Sequence, residues 1–261
     1  MYKRTWNKKY GKSEIYTRED SYCQQVEIDM VRLAPGEKKT YREADKEYGL
    51  VILGGSCDVV GEGFEYKGIG KRKDVFDGPA TCVYVPRNTE FTITAVTEVS
   101  IAVSKSPSWR DHKPVLIKPE DVVIKDMGKP GWQRQAHFIL AENVDADILY
   151  IGEAYVKGGQ WASYPPHKHD DDNMPTEAAT EEIYYYEFKK PEGFGIQRVY
   201  TKEGDVDEVY VVKSGDFVEI PRGYHPFHTA PGYDNYYLWI MAGKDRGFFM
   251  TTDEDHKWLN N

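Results

Sequence analysis

The stretch GGQWASYPPHKHDDDNMPTEAATEEIYYY, residues 158–186, is the part of the sequence that decides the fold prediction. It holds two histidines separated by one residue, His167 and His169, and then two glutamates directly before an Ile-Tyr-Tyr-Tyr run. Residues i and i+2 of a strand point to the same face, so both imidazoles can enter one cavity. Aromatic and β-branched residues are typical of strands. We therefore expect the glutamates to open the next strand.

A second stretch, GDFVEIPRGYHPFH at residues 215–228, adds His225 after a Gly…Pro-x-Gly turn. The order His-x-His, then Glu on the next strand, then a late His is how a small β-barrel gathers three imidazoles and one carboxylate around a divalent metal. Four of the seven histidines fall in these two stretches. That clustering favours a metal site over histidines on a solvated loop.

The carboxylate ligand comes from the pair Glu181 and Glu182, whose side chains point to opposite faces of a strand. Glu182 is preferred because it stands immediately before the Ile-Tyr-Tyr-Tyr run, although the sequence leaves Glu181 open. Such a site suits one divalent transition metal, Mn²⁺, Fe²⁺, Co²⁺, Ni²⁺ or Zn²⁺, as cofactor. The predicted ligands are His167, His169, Glu182 and His225.

The rest of the chain is dominated by strand signals. Apolar and polar residues alternate at residues 24–33, and residues 49–60 and 81–106 are rich in Val, Ile and Thr with Gly-bearing turns. Alternation resumes at residues 147–156 and continues in short segments to the C-terminal part. Fourteen per cent aromatics, 23 Gly and 14 Pro agree with a β protein rich in turns.

Residues 106–135 are rich in Pro and Lys and poorly periodic, which predicts a surface connection, with a short helical turn within residues 131–143. We therefore expect an N-terminal β domain without a metal site at residues 1–110. A connecting segment at 111–145 and a C-terminal metal-binding domain at 146–261 would follow. VYVPRNTE (83–90) resembles VEIPRGYH (218–225), which favours two similar barrels.

Composition excludes several classes of partner. The net charge of −9 argues against nucleic acid, because no basic stripe exists to neutralise phosphates. No run approaches the roughly 20 apolar residues of a membrane span. The cysteines are three in number and widely spaced, which predicts free thiols and a cytoplasmic location. Exposed strand edges are compatible with a homo-oligomer.

Several segments together resemble the 5-deoxy-glucuronate isomerase family of the cupin superfamily. They include RKDVFDGPATCVYVPRNTEFTITAVTE (72–98), WASYPPHKHDDD (161–172), EEIYYYEF (181–188) and GDFVEIPRGYHPF (215–227). The resemblance implies an all-β bicupin, with two antiparallel, jelly-roll-like barrels and short connecting helical turns. It also places His167, His169, Glu182 and His225 on the family's metal positions. Trp239 departs from the pattern, since a smaller polar residue is expected there.

The implied activity is an aldose–ketose isomerisation of myo-inositol breakdown, which converts 5-deoxy-D-glucuronate into 2-deoxy-5-keto-D-gluconate. The partner would be this small sugar acid. Proton transfer through an enediol and a direct hydride shift both remain open. The candidates for the base are Glu181, Tyr184, Tyr186 and His228. The candidates for binding the substrate are Arg198 and Arg222 for its carboxylate, and Gln197 and Tyr200 for its hydroxyls.

Three other functions fit the same motifs. A related isomerase of pectin breakdown uses similar ligands, but its loop between the histidine pair and the glutamate is shorter than residues 170–180 here. A metal cupin oxygenase would use open iron positions to activate O₂. A sugar-acid-binding bicupin would bind without catalysis.

Overall fold

The computed structural model describes residues 2–260, and in it the chain is built almost wholly from strands. The strands are β1 (Lys3–Thr5), β2 (Gly11–Tyr16), β3 (Glu27–Leu33), β4 (Lys38–Tyr41), β5 (Lys46–Gly54), β6 (Cys57–Gly61), β7 (Phe64–Ile69), β8 (Thr81–Val85), β9 (Phe91–Ala95), β10 (Val99–Pro107), β11 (Val115–Ile117), β12 (Val123–Met127), β13 (Arg134–Leu140), β14 (Leu149–Val156), β15 (Trp161–Ala162), β16 (His167–Lys168), β17 (Glu181–Phe188), β18 (Gly195–Tyr200), β19 (Asp207–Val212), β20 (Asp216–Ile220), β21 (Phe227–Thr229), β22 (Asn235–Ala242) and β23 (Thr251–Thr252). Two short 3₁₀ helices span Pro119–Asp121 and Glu254–Asn260.

Within residues 2–260 the strands form five sheets, of which four stack as layers and the fifth is the two-stranded pair of β16 and β23. A four-stranded sheet (β4-β9-β6-β7) faces a six-stranded sheet (β11-β8-β5-β10-β3-β2), and a seven-stranded sheet (β1-β20-β17-β22-β14-β13-β12) faces a second four-stranded sheet (β15-β21-β18-β19). One apolar core fills each of these two barrels. A third core lies between the two large sheets. Each large sheet is therefore buried on both faces.

The side chains of strand β17 alternate between two apolar cores. Ile183 and Tyr185 contribute to the core between the large sheets, whereas Tyr184 and Tyr186 contribute to the core inside the second barrel. Successive strand residues point to opposite faces, so the apolar run is explained by burial on both sides.

The register supports the predicted internal repeat. In the first barrel Tyr48 of β5 pairs with Val85, and in the second Glu182 of β17 pairs with Ile220. Val85 and Ile220 each precede the Pro-Arg dipeptide shared by the two halves. Tyr48 therefore stands in the first barrel where Glu182 stands in the second.

The segment between the barrels differs from the sequence-based expectation. The helical turn predicted within residues 131–143 is wrong, because Arg134–Leu140 forms β13 and pairs with both β12 and β14. At the other end of the chain, β1 pairs with β20 of the second barrel. The division into residues 1–110, 111–145 and 146–261 stays a prediction.

Two buried carboxylates join the barrels. Glu47 of β5 accepts hydrogen bonds at 2.7 Å from the backbone N–H groups of residues 147, 148 and 149, and another from the Tyr84 hydroxyl. Arg72 from the first half binds Glu153 of β14 through two nitrogens, at 2.6 and 3.2 Å. These contacts satisfy polar groups that would otherwise be costly to bury between two apolar sheets.

The Glu47→Gln substitution tests this junction. An amide keeps one acceptor oxygen but turns N–H groups toward backbone donors, so we expect a loss of about 2–4 kcal/mol in the free energy of unfolding. Urea denaturation measures it. Glu65→Gln is the matched control, because the only ion pair of Glu65 within residues 2–260 is the exposed one with Lys67. This substitution should change the free energy of unfolding by less than about 0.5 kcal/mol. Equal effects of both substitutions would contradict the role given to Glu47.

Candidate metal centre

Glu181 and Glu182, the first two residues of β17, point to opposite sides of the seven-stranded sheet. Glu182 shares the face of Tyr184 and is buried inside the second barrel. The Glu181 carboxylate lies on the other side, where it accepts hydrogen bonds from the backbone N–H groups of Gln24 at 2.7 Å and Gln25 at 2.6 Å. Of the two carboxylates, only that of Glu182 faces the histidines.

Three side chains converge inside this barrel. His169, Glu182 and His225 each offer a ligand atom, and these atoms lie within 4.8 Å of one another. The Glu182 Oε2 atom is 3.2 Å from His169 Nε2 and 3.3 Å from His225 Nε2. His167 lies beside them, with its ring centroid 4.9 Å from that of His225. The structure therefore groups three of the four residues predicted as ligands and places His167 at the edge of the group.

Hydrogen bonds on the outer side of the cluster orient two of the imidazoles. His169 Nδ1 lies 2.8 Å from the Thr180 carbonyl oxygen, and His225 Nδ1 lies 2.9 Å from that of Gly223. A proton on each Nδ1 leaves Nε2 with a lone pair directed toward Glu182. Among residues 2–260, the buried His225 Nε2 has no hydrogen-bond partner. This donor set fits a divalent metal ion.

Burial favours the uncharged imidazole form that binds metals. It lowers the pKa of His225 to about 4 and that of His167 well below its usual value, and the positive charge of Arg134 acts in the same direction on both. Burial also acts to lower the pKa of His169, but the hydrogen bond to Glu182, the negative charge of Glu182 and the hydrogen bond to the Thr180 backbone together outweigh it and raise that pKa.

The cluster borders a small, enclosed cavity. Its wall includes Arg134, Ser163, Tyr184 and Tyr237, together with Phe248 and Met250 from the C-terminal segment. The open volume is about 10 Å³, which is room for about one water molecule. A sugar acid is much larger, so side chains of the wall have to move before a substrate can enter.

Among the four residues predicted as bases, only Tyr184 lines the cavity. Its hydroxyl is 2.8 Å from Ser163 Oγ. The Tyr186 hydroxyl instead donates to Gln197 at 2.7 Å, Glu181 faces away, and His228 packs against Trp161 with ring centroids 4.9 Å apart.

The residues predicted to bind the substrate lie outside the cavity wall. Arg198 and Arg222 form exposed ion pairs with Asp207 and Asp205, so the expectation that they flank the site is wrong. The buried Gln197 donates at 2.8 Å to the carbonyl of His225 and so positions the turn that carries this ligand. The Tyr200 hydroxyl donates to Asp253 at 2.6 Å.

Sequence reasoning missed Arg134 and Ser163. Arg134 was assigned to the connection, although Arg134, Ala136 and Phe138 occupy alternate positions of a strand and therefore share one face. Ser163 lies in the quoted stretch, but a serine before Tyr-Pro-Pro is not a pattern that indicates a functional residue.

The C-terminal segment closes the site by pairing with the histidine strand. In register, His167 of β16 opposes Thr252 of β23. The backbone N–H of Asp253 donates to the Pro166 carbonyl at 2.9 Å. The long loop at residues 170–180 is attached to the same segment, because the backbone N–H of Ala178 donates to the carbonyl of Phe249. Two segments that are distant in sequence, at residues 166–178 and 249–253, thus form one wall of the site.

Comparison with known proteins assigns the chain to a family. A family model described as the KduI/IolB family matches residues 3–259. The chain belongs to this family. A 5-deoxy-glucuronate isomerase of Geobacillus kaustophilus is 40% identical over 235 residues, which cover 90% of this chain and 85% of the relative. One from Bacillus subtilis strain 168 is 37% identical over 245 residues, or 93% and 90% of the two chains.

Solved structures confirm the predicted all-β bicupin fold. The crystal structure of an IolB-like protein from Salmonella typhimurium is 36% identical, with a TM-score of 0.96 and full coverage of both chains. Oxalate decarboxylase of Bacillus subtilis is 12% identical, with a TM-score of 0.66 over 97% of this chain and 79% of the other, a likeness that shows the fold alone. Within residues 2–260, no helix is long and apolar enough to cross a membrane.

Glu177 holds the long loop against the histidine strand. Its Oε1 atom accepts hydrogen bonds from Lys168 Nζ at 2.8 Å and from the backbone N–H groups of Asp170 and Asp171. Burial acts to raise the pKa of Glu177, but these donors and Thr251 outweigh it and hold the pKa below its usual value. The stabilisation is therefore present above the unfolded pKa of about 4.3 and is lost as the pH falls through the lower folded value.

Glu177→Gln should consequently loosen residues 170–180 at neutral pH. We expect faster amide hydrogen exchange in this loop and in the C-terminal segment than in the unmodified protein at the same pH. Asp172→Asn, an exposed change in the same loop, is the control and should leave exchange unaltered. Unchanged protection in Glu177→Gln would show that the loop is held by other contacts.

Proposed function

We propose that the protein is a metal-dependent aldose–ketose isomerase that converts 5-deoxy-D-glucuronate into 2-deoxy-5-keto-D-gluconate. The observation that carries the proposal is the enclosed group of two imidazoles and one carboxylate, with the His167 imidazole beside it, in a chain about 40% identical to curated 5-deoxy-glucuronate isomerases. One metal ion, Mn²⁺, Fe²⁺, Co²⁺, Ni²⁺ or Zn²⁺, would be held by His167, His169, Glu182 and His225.

The reaction moves hydrogen within one molecule and needs no external oxidant. The hydrogen on C2 passes to C1, and the hydroxyl proton on O2 passes to O1, so that an aldehyde and a secondary alcohol become a primary alcohol and a ketone. A metal ion held there would supply Lewis acidity toward the carbonyl and toward developing negative charge on oxygen. The protein must orient the two carbons, exclude water and provide a group that exchanges the proton between the oxygens.

Tyr184 is the residue that we assign to this proton exchange. Its hydroxyl lies in the cavity wall and is hydrogen bonded to Ser163. Burial and the nearby Glu182 raise the pKa of Tyr184 well above its usual value, so the hydroxyl stays protonated and can both donate and accept. Glu182 is the only carboxylate in the described cavity wall, so a separate carboxylate base is absent from that surface.

The cytoplasm is the proposed location. Cys23, Cys57 and Cys82 are buried and unpaired, a state that a reducing compartment preserves. The homo-oligomer stays a prediction.

Substitution of the two adjacent glutamates tests the proposal. Metal-loaded protein is incubated with 5-deoxy-D-glucuronate, loss of the aldehyde signal is followed by proton NMR, and bound metal is measured by elemental analysis. Glu182→Gln should lose metal and turnover together, because a carboxylate ligand becomes a neutral amide. Glu181→Gln should retain both, since Glu181 lies across the sheet. Absence of turnover by the unmodified, metal-loaded protein would refute the isomerase proposal.

The Tyr184→Phe substitution tests the proton exchange. Removing the hydroxyl should lower kcat by about 100-fold while metal content and folding stay unchanged. Tyr185→Phe is the matched control, because that hydroxyl is bound to Glu187 and the side chain packs between the two large sheets, outside the cavity wall. A kcat for Tyr184→Phe within a few-fold of the unmodified enzyme would assign the exchange to another group.

A further inference from the structure

Arg134 is the one cationic side chain in the described cavity wall apart from the histidine ligands. It opens strand β13, where its side chain shares the inward face of Ala136 and Phe138. Arg134 also lines a wider cleft of about 650 Å³, with Phe76 and Tyr155 among its other walls. The residue therefore lies in the walls of both spaces, with its side chain on the inward face that borders the metal cavity.

In the part of the chain that the structure describes, the Arg134 guanidinium has no anionic partner. Across residues 2–260, no side-chain hydrogen bond or ion pair joins it to another residue. Other arginines away from the open surface are satisfied, since the buried Arg72 binds Glu153 and the half-buried Arg246 donates to four backbone carbonyls. Leaving a half-buried guanidinium unpaired costs free energy, which a bound anion would offset.

The surroundings of Arg134 strengthen its interaction with an anion. Trp239, Phe248 and Met250 form apolar parts of the same wall, so charges there are screened less than in water. The one carboxylate in this wall, Glu182, faces the imidazoles rather than the guanidinium. With a divalent ion bound, the cavity would carry a surplus of positive charge that suits an anionic substrate.

We propose that Arg134 binds the carboxylate of the sugar acid and makes the enzyme specific for acids over neutral aldoses. This inference rests on the proposed function. The planar guanidinium can bind both oxygens of a carboxylate through two parallel hydrogen bonds. The carboxylate lies at C6 and the reacting carbons are C1 and C2, so one end of the substrate is anchored by Arg134 while the other reaches the metal centre.

The test compares acid and neutral substrates in Arg134→Gln. For 5-deoxy-D-glucuronate we expect kcat/KM to fall about 100-fold, mainly through KM. For the corresponding C6 carboxamide it should change by less than about three-fold. Bound metal should be unchanged in the variant. Arg42→Gln is the matched control, because Arg42 is highly exposed in the first barrel and, among the described residues, pairs only with Glu90. This substitution should leave the kinetics of both substrates unchanged.

Two further measurements separate this role from a structural one. Added guanidinium ion should partly restore the activity of Arg134→Ala with the acid and have no effect on the carboxamide. Calorimetry of metal-loaded protein should show tighter binding of D-gluconate, which cannot isomerise as an aldose, than of gluconamide. Arg134→Gln should lose that difference.

The outcomes distinguish the inference from the proposed function. If the unmodified protein turns over 5-deoxy-D-glucuronate but Arg134→Gln keeps its preference for the acid, the role of Arg134 is refuted and the isomerase proposal stands. If turnover is absent yet gluconate is preferred only when Arg134 is present, the isomerase proposal fails and carboxylate recognition stands. Loss of turnover on both substrates together with loss of metal would make Arg134 structural and overturn the inference.

Discussion

The candidate site depends on the burial of strand β17 on both of its faces. Odd-numbered residues pack between the two large sheets, and even-numbered residues fill the second barrel. A shift of one residue would move Glu182 out of the barrel and bring Glu181 in, while exchanging every tyrosine between two cores. Because both cores are apolar and closely packed, that shift is strongly disfavoured. Packing, rather than the polar groups themselves, fixes which carboxylate meets the histidines.

The histidines need a second kind of constraint, because they lie on short or irregular segments. His167 belongs to a two-residue strand, and His225 lies in the turn before β21. Their positions are held by backbone and side-chain hydrogen bonds from outside the cluster, including those of Gln197 and Glu177. Such contacts limit the motion of the imidazoles and leave the Nε2 atoms of His169 and His225 directed toward Glu182. The packed sheet thus positions Glu182, and the hydrogen-bonded loops position the histidines.

The sequence predicted those parts of the structure that follow from local pattern. Alternation predicted the strands, and the spacing of His167 and His169 predicted two imidazoles on one side. The prediction that Arg198 and Arg222 flank the site is wrong because both side chains point outward from the second barrel. Which side chains of a segment point outward depends on how that segment packs in the barrel, and the sequence alone does not give this. Arg134 was missed because the proline and lysine residues that precede it favour an irregular connection, although Arg134 begins a regular strand. Phe248 and Met250 close the cavity because β23, a strand of two residues, pairs their segment with a distant part of the chain. So short a strand has no periodic pattern that could be read from the sequence.

The shape of the cavity depends on a pairing between a large and a small residue. Trp239 stands where the family resemblance leads one to expect a smaller polar side chain, and it forms part of the cavity wall. Its cross-strand neighbour is Gly152, and a Cβ atom at that position would clash with the indole ring. The glycine therefore allows the indole to lie across the sheet, where it also packs against Phe138 and Tyr150. This apolar wall lies on the same cavity as Arg134, so tryptophan and glycine together help to define the space beside the guanidinium.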